Sequence, residues 1–215
     1  MPPPDEPRSL NLAGLRLPLR ETTVVLATTF VLLIDWYHPL VLGIGPEMSL
    51  GLSHVGLFLI VPLLILLLLG ERPNAYGLRL GEWRIGLTAA GVLAALATPA
   101  ILLVSGQPDF VLYYRHEPAD LPGALVGNAV NVAAAEFLFR GFLMWTLIRT
   151  VGPLGVVLAT FPFVFTHLGK PELETLSTFF GGLGFGWIAW RTRSVLYGAL
   201  LHAYLISLIV LLASR

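Results

Sequence analysis

The sequence predicts an all-α fold, a polytopic bundle of about seven transmembrane helices. Three observations carry this. First, 56% of the residues are hydrophobic and only 12% are charged, with a mean hydropathy of +0.80, whereas an ordinary globular domain is about a quarter charged. Second, several stretches reach the roughly 20 apolar residues that a hydrocarbon core requires. They include GLFLIVPLLILLLLG at 56–70, with its apolar approach, and VLYGALLHAYLISLIVLLA at 195–213. Third, the basic residues fall unevenly on alternate loops.

The elements run in order. Residues 1–19 are Pro-rich and charged, lack a signal-peptide cleavage pattern, and read as a short polar cytoplasmic leader. Residues 20–215 form one transmembrane helical domain, with no evident repeat. Spans are expected at 20–38, 52–70, 84–104, 122–149, 153–168, 174–191 and 194–213, helical because lipid offers backbone groups no other partner. Turn chemistry separates them at HPLVLGIGPE, GERPNAYG, GQPD, VGP and GKPE. The stretch 105–121 is too polar to span and is expected as an interfacial loop, with Tyr113 and Tyr114 at the headgroups. With seven spans, Arg8, Arg16, Arg20, Arg72, Arg79, Arg84, Arg149, Arg191 and Arg193 share one side. The other side holds only Arg115, Lys170 and Arg215. By the positive-inside rule the N-terminus is cytoplasmic, in a multi-pass protein of the cell inner (plasma) membrane.

Ionisable residues at membrane depth are costly and by default functional. The candidates are Glu136, Arg140, His167 and His202. Asp35 and His38 lie near the end of the first span, and Glu172 and Glu174 at a loop edge. At 1.5 Å per residue, Glu136 lies about 20 Å deep, His167 about 21 Å and His202 about 12 Å. Three helices can therefore bring a carboxylate and two imidazoles to one level. Glu136 and Arg140 are an i, i+4 pair with the acid first, the better orientation. With Asn128 they make one side of their helix polar, and such a side must face the bundle interior. The plainer reading is a mutually neutralised pair beside a capping histidine at 167 and a hydrogen-bonded core imidazole at 202. GGLGFG at 181–186 lacks the strand–turn–helix setting of a phosphate loop, and the spacing of Gly182 and Gly186 fits close helix packing.

Together these residues resemble the CAAX prenyl protease and bacteriocin-processing (CPBP, Abi) family of intramembrane proteases. The first motif of that family, EExxxR, is matched by AEFLFR at Ala135–Arg140, followed by Gly141 and Phe142. FxxxH is matched by FVFTH at Phe163–His167, and His-x-x-x-Asn in part by HAYLI at His202–Ile206. With PNAYGLRLGEWRIG, the resemblance covers about residues 70–213. It implies metal-free, cofactor-free hydrolysis of a peptide bond by a water that a glutamate and histidines activate, with Arg140 orienting Glu136. It also implies that the partners are the lipid bilayer and a prenylated peptide or membrane-protein substrate.

Two positions depart from the family pattern: Ala135 replaces the first glutamate and Ile206 the asparagine. Either Glu136 is itself the base, or Glu174 in GKPELE supplies the missing acid, as in relatives pairing a single-Glu motif with GKPxxE. The third reading is a non-catalytic relative that binds a partner or lipid. Glu136, His167 and His202 are also a His₂-Glu set chemically able to hold zinc. The absence of cysteine excludes disulfides, thiolate metal sites and a cysteine nucleophile. A net charge of zero leaves no basic face for nucleic acid. The lack of inverted repeats argues against a transporter.

Overall fold

The computed structural model describes residues 9–117 and 119–215. Residues 1–8 of the leader, Arg8 among them, lie outside the described residues. The rest of the leader is not a featureless approach to the membrane. Strands β1 (Ser9–Leu12) and β2 (Leu15–Pro18) pair antiparallel, Ser9 opposite Pro18. Ala13 and Gly14 both have positive φ, 51° and 85°, the condition for a two-residue turn that matches strand twist.

Seven helical rods follow. The first is α1 (Leu19–Tyr37). The second joins α2 (Pro46–His54) to α3 (Val61–Leu68) through a π-helical stretch, Val55–Ile60. A 3₁₀ turn at Pro73–Tyr76 leads to α4 (Trp83–Val104) and the short α5 (Pro108–Tyr114). The fourth rod joins α6 (Leu121–Glu136) to α7 (Met144–Val151) through a second π stretch, Phe137–Leu143. The last three are α8 (Leu154–Phe165), α9 (Glu172–Thr192) and α10 (Leu196–Ala213). Each rod overlays an expected span. Among the described residues, four rods are long and apolar enough to cross a membrane unaided: Pro46–Leu68, Trp83–Val104, Leu121–Val151 and Leu196–Ala213. Helix α8, with 12 residues, is about 18 Å long. Helices α1 and α9 have the length but carry Arg20, Glu21 and Asp35, and Glu172, Glu174 and Arg191.

The outer faces are apolar. Leu68, Leu103 and Leu112 are each at least 80% exposed, a surface suited to acyl chains rather than water. Inside, Phe137, Leu138, Phe139 and Phe142 anchor the main core with Val24, Phe58, Leu66 and Ile188. A smaller cluster of Ile101, Phe110, Tyr114, Ile206, Ile209 and Val210 fills the other end. Glycines set the closest approaches. A Cβ on Gly51 would lie 2.7 Å from the Gly127 carbonyl oxygen, so α2 and α6 touch backbone to backbone. Cβ atoms on Gly182 and Gly186 would lie 2.7 Å from Thr160 and Val156, the close α8–α9 packing expected of that glycine pair.

Of the arginines grouped by the loop count, Arg20, Arg79, Arg149, Arg191 and Arg193 lie together at one end of the bundle. Glu71 accepts from Arg149 at 2.8 Å and Arg20 at 3.3 Å, and Arg79 Nε donates to the Arg193 carbonyl at 3.0 Å. The stretch 105–121 departs from its expected form. It holds helix α5, and Tyr114 turns inward to 4% exposure, because its hydroxyl finds an acid partner there, while Tyr113 stays exposed. Beyond α5, His116 Nε2 meets Glu47 at 2.7 Å and Nδ1 donates to the Tyr114 carbonyl at 2.8 Å.

Burial disfavours the charged ring of His116, but its bonds to Glu47 and Tyr114, with the charges of Glu47 and Asp120, outweigh this and raise its pKa. The stabilisation is full below the unfolded value of about 6.5 and is lost as pH rises through the raised folded value. His116→Gln should therefore lower the unfolding temperature in detergent at about pH 6 and converge with wild type by about pH 9. A difference that does not change with pH would contradict this role.

Candidate active site

The charges lie where α6 passes into its π stretch. Glu136 ends the regular helix and Arg140 lies within Phe137–Leu143. In a π-helix each backbone N–H reaches the fifth carbonyl back, an arrangement frequent at functional sites. Glu136 is 0% exposed and Arg140 2%. Arg140 Nε stands 3.4 Å from Glu136 Oε2, an ion pair without a hydrogen bond: Oε2 and Arg140 Nη1 have no hydrogen-bond partner. Nη2 donates to the Gly182 carbonyl at 3.3 Å, and the guanidinium carbon lies 3.8 Å over the Phe163 ring. The cation is held largely by aromatic faces.

The other carboxylate oxygen faces α10, where His202 Nδ1 is 3.0 Å from Glu136 Oε1. Gly198, one turn earlier, makes room, since a Cβ there would lie 3.1 Å from Oε2. The acid therefore touches an arginine on one side and an imidazole on the other. His167 follows α8, its Nδ1 donating to the Phe163 carbonyl at 3.0 Å. Its ring lies nearly parallel to that of His202, with centroids 6.5 Å apart. Phe163 packs edge-on against both histidines, and Phe185 stacks on His202 at 5.0 Å.

Both histidines border a cavity of about 520 Å³. Its wall is apolar from Ile101 and Phe110 to Leu205 and Ile209, and it reaches Lys170 and Glu174 at the α8–α9 turn. Glu136 stands behind His202, outside that lining. Glu174 is engaged: the Tyr114 hydroxyl lies 2.7 and 2.6 Å from its two oxygens, and Lys170 Nζ 3.0 Å from Oε1. Burial and then the Glu174 charge push the Tyr114 hydroxyl upward, so it remains a donor.

Four of the five residues singled out in the sequence thus meet in one cluster, and Glu174 borders the same chamber at its other end. Asn128 lines it too, whereas Ala135 packs in the core, Ile206 supplies apolar wall, and Glu172 is exposed. Among the described residues no three His, Asp or Glu side chains are arranged to hold a metal ion. His202 turns Nδ1 to Glu136 rather than toward an ion shared with His167. Sequence reasoning missed Tyr114, Lys170 and a second, partly buried cluster: His54 Nε2 is 3.0 Å from Asp35 Oδ1, and Nδ1 is 2.5 Å from Asn131 Oδ1. His54 carried a usable signal, being ionisable inside the apolar stretch 52–70. Asn131 carried one too, one helical turn from Asn128.

Fold and chamber together define an integral membrane protein with polar chemistry enclosed in a helical bundle. The family model described as Type II CAAX prenyl endopeptidase Rce1-like matches residues 117–206, a stretch that contains Glu136, Arg140, His167, Glu174 and His202. The match supports membership of the CAAX prenyl protease and bacteriocin-processing family. No curated protein matches the chain, and no solved structure does.

Removing one member of a buried ion pair costs about 3–5 kcal/mol, because the other charge is left uncompensated. Arg140→Leu should therefore destabilise the protein by about that amount. The double variant Glu136→Gln/Arg140→Leu should recover at least part of the loss in detergent unfolding. A double variant no more stable than Arg140→Leu would mean that the two groups do not neutralise each other.

Proposed function

We propose that the protein is an intramembrane endopeptidase that hydrolyses peptide bonds of membrane-associated or prenylated substrates without a nucleophilic side chain. The observation that carries this reading is the 3.0 Å contact between Glu136 and His202 Nδ1, which leaves His202 Nε2 for the chamber. The carboxylate fixes the tautomer and stabilises the imidazolium that forms during turnover, the role of the acid in acid–histidine pairs. A water in the chamber loses a proton to His202 Nε2 as its oxygen bonds to the peptide carbonyl carbon. The carbon–nitrogen bond then breaks, and the same proton passes to the leaving amine. His167 presents a second acceptor to that water, and Arg140 limits the swing of Glu136.

The aliphatic wall suits an apolar chain or a prenyl group. Glu174 has its oxygens engaged by Tyr114 and Lys170, which favours Glu136 with His202 as the base. It sits where it can position a substrate end. By the bias of basic residues, the arginine end faces the cytoplasm. A closed Glu136–Arg140 pair with both rings elsewhere would have suited a non-catalytic binding protein; the ring of His202 on Glu136 supports the enzyme.

The test is cleavage of a prenylated, fluorogenic peptide and of a membrane-embedded peptide by protein in lipid nanodiscs. His202→Ala and Glu136→Gln should each lower kcat by about 10²–10⁴-fold, the usual contribution of general-base catalysis. Cleavage by Glu136→Gln at the wild-type rate would remove the carboxylate from the mechanism.

A further inference from the structure

Hydrolysis within this chamber requires a donor for the oxygen that becomes negative, and an inventory of the wall leaves few. His167 spends its Nδ1 proton on the Phe163 carbonyl. His202 spends its own on Glu136. While neutral, both rings therefore offer the chamber only lone pairs. The Ser177 and Thr178 hydroxyls donate to the Glu174 carbonyl at 2.9 and 2.8 Å. Lys170, bonded to Glu174 and to the Tyr114 hydroxyl, and Tyr114, bonded to Glu174, lie at the chamber's other end, away from the His202 ring. The amides of Asn128 and Asn131 remain.

These two amides differ in how they are held. Asn131 Oδ1 faces His54 Nδ1 at 2.5 Å, and the other ring nitrogen faces Asp35 Oδ1 at 3.0 Å. The ring therefore bridges Asn131 and Asp35, one side chain at each nitrogen. It is clamped further by stacking on Phe58 at 3.9 Å. The backbone contact of α2 with α6 at Gly51 and Gly127 brings the two helices together. His54 also stands directly before the Val55–Ile60 π stretch, as Glu136 stands before Phe137–Leu143. The chain thus departs from regular α-helix twice, each time just after a buried polar anchor.

We propose that Asn131 is the oxyanion donor of this site, its amide nitrogen turned to the chamber by a positioning pair, His54 and Asp35. The proposal rests on the peptidase reading. Oδ1 is held against the His54 ring, so the amide can rotate only by breaking that contact. A donor fixed before the reaction stabilises developing charge without reorganising. Asn128, with no such anchor, lines the wall without a fixed direction.

The test is steady-state hydrolysis of a prenylated peptide by the full chain in nanodiscs, with unfolding temperature measured alongside. Asn131→Ala should lower kcat by about 10²–10³-fold, the cost of losing one oxyanion donor, with KM near wild type and a lowered unfolding temperature from the unpaired His54 ring. Asn131→Asp keeps the size and the acceptor for His54 but has nothing to donate, and should lose kcat to the same extent. Asp35→Asn, acting through the ring, should lower kcat less, again with KM unchanged. A peptide aldehyde, bound as its tetrahedral hydrate, should lose affinity for Asn131→Asp while the matching peptide alcohol does not. If the Asn131 variants keep wild-type kcat while Glu136→Gln loses it, the assignment is overturned and the peptidase reading stands. If wild type neither cleaves the peptide nor prefers aldehyde to alcohol, both fall together.

Discussion

A carboxylate with no exposure, enclosed by aliphatic and aromatic side chains, has to be compensated where it stands. Taking one such ion out of water costs several kcal/mol even after relaxation, and lipid beyond the outer wall offers nothing in return. Glu136 meets this constraint with two partners of different kinds. Arg140 contributes charge at 3.4 Å and His202 a donor at 3.0 Å. The guanidinium then needs compensation of its own, and the faces of Phe163 and Phe185 with the Gly182 carbonyl provide it. The packing of α8, α9 and α10 against the fourth rod is a result of this chain of requirements.

Small residues and irregular helix make the arrangement possible. Gly182 lets α9 approach Thr160 and Phe163 on α8, and Gly198 lets α10 pass the carboxylate. The two π stretches lie in the interior rods where polar side chains must point inward. A regular helix repeats every 3.6 residues and cannot hold consecutive polar groups in one direction for long. A local change of period re-aims the side chains on its C-terminal side.

Much of this was legible in the residues. Hydropathy and turn chemistry located all seven rods, and the unequal distribution of arginine grouped residues that do meet at one end. Helical rise placed Glu136, His167 and His202 at comparable depth, and the spacing of Gly182 and Gly186 marked a close contact. What could not be read has physical reasons. An aromatic pair in a polar loop suits headgroups, which points Tyr114 to the surface, but a single acid, Glu174, draws it inward. The hairpin at 9–18 depends on two residues with positive φ inside a segment whose composition suggests no strand. His54 is marked as an ionisable group in an apolar stretch, but its cluster is not, because Asp35 and Asn131 lie 19 and 77 residues away and no local pattern links them. The period change within AEFLFR has no compositional mark at all.

The order in which the charges are made bears on how the protein is built. Glu136 and Arg140 leave the ribosome four residues apart, so their rod can partition into lipid as a locally neutral segment. His202 comes 66 residues after the acid, on a helix that inserts later. Until that helix docks, the carboxylate has its counter-ion and lacks its imidazole partner. Whatever chemistry the chamber performs is therefore withheld from a nascent, half-inserted chain, and the neighbours it meets during biogenesis are safe from it.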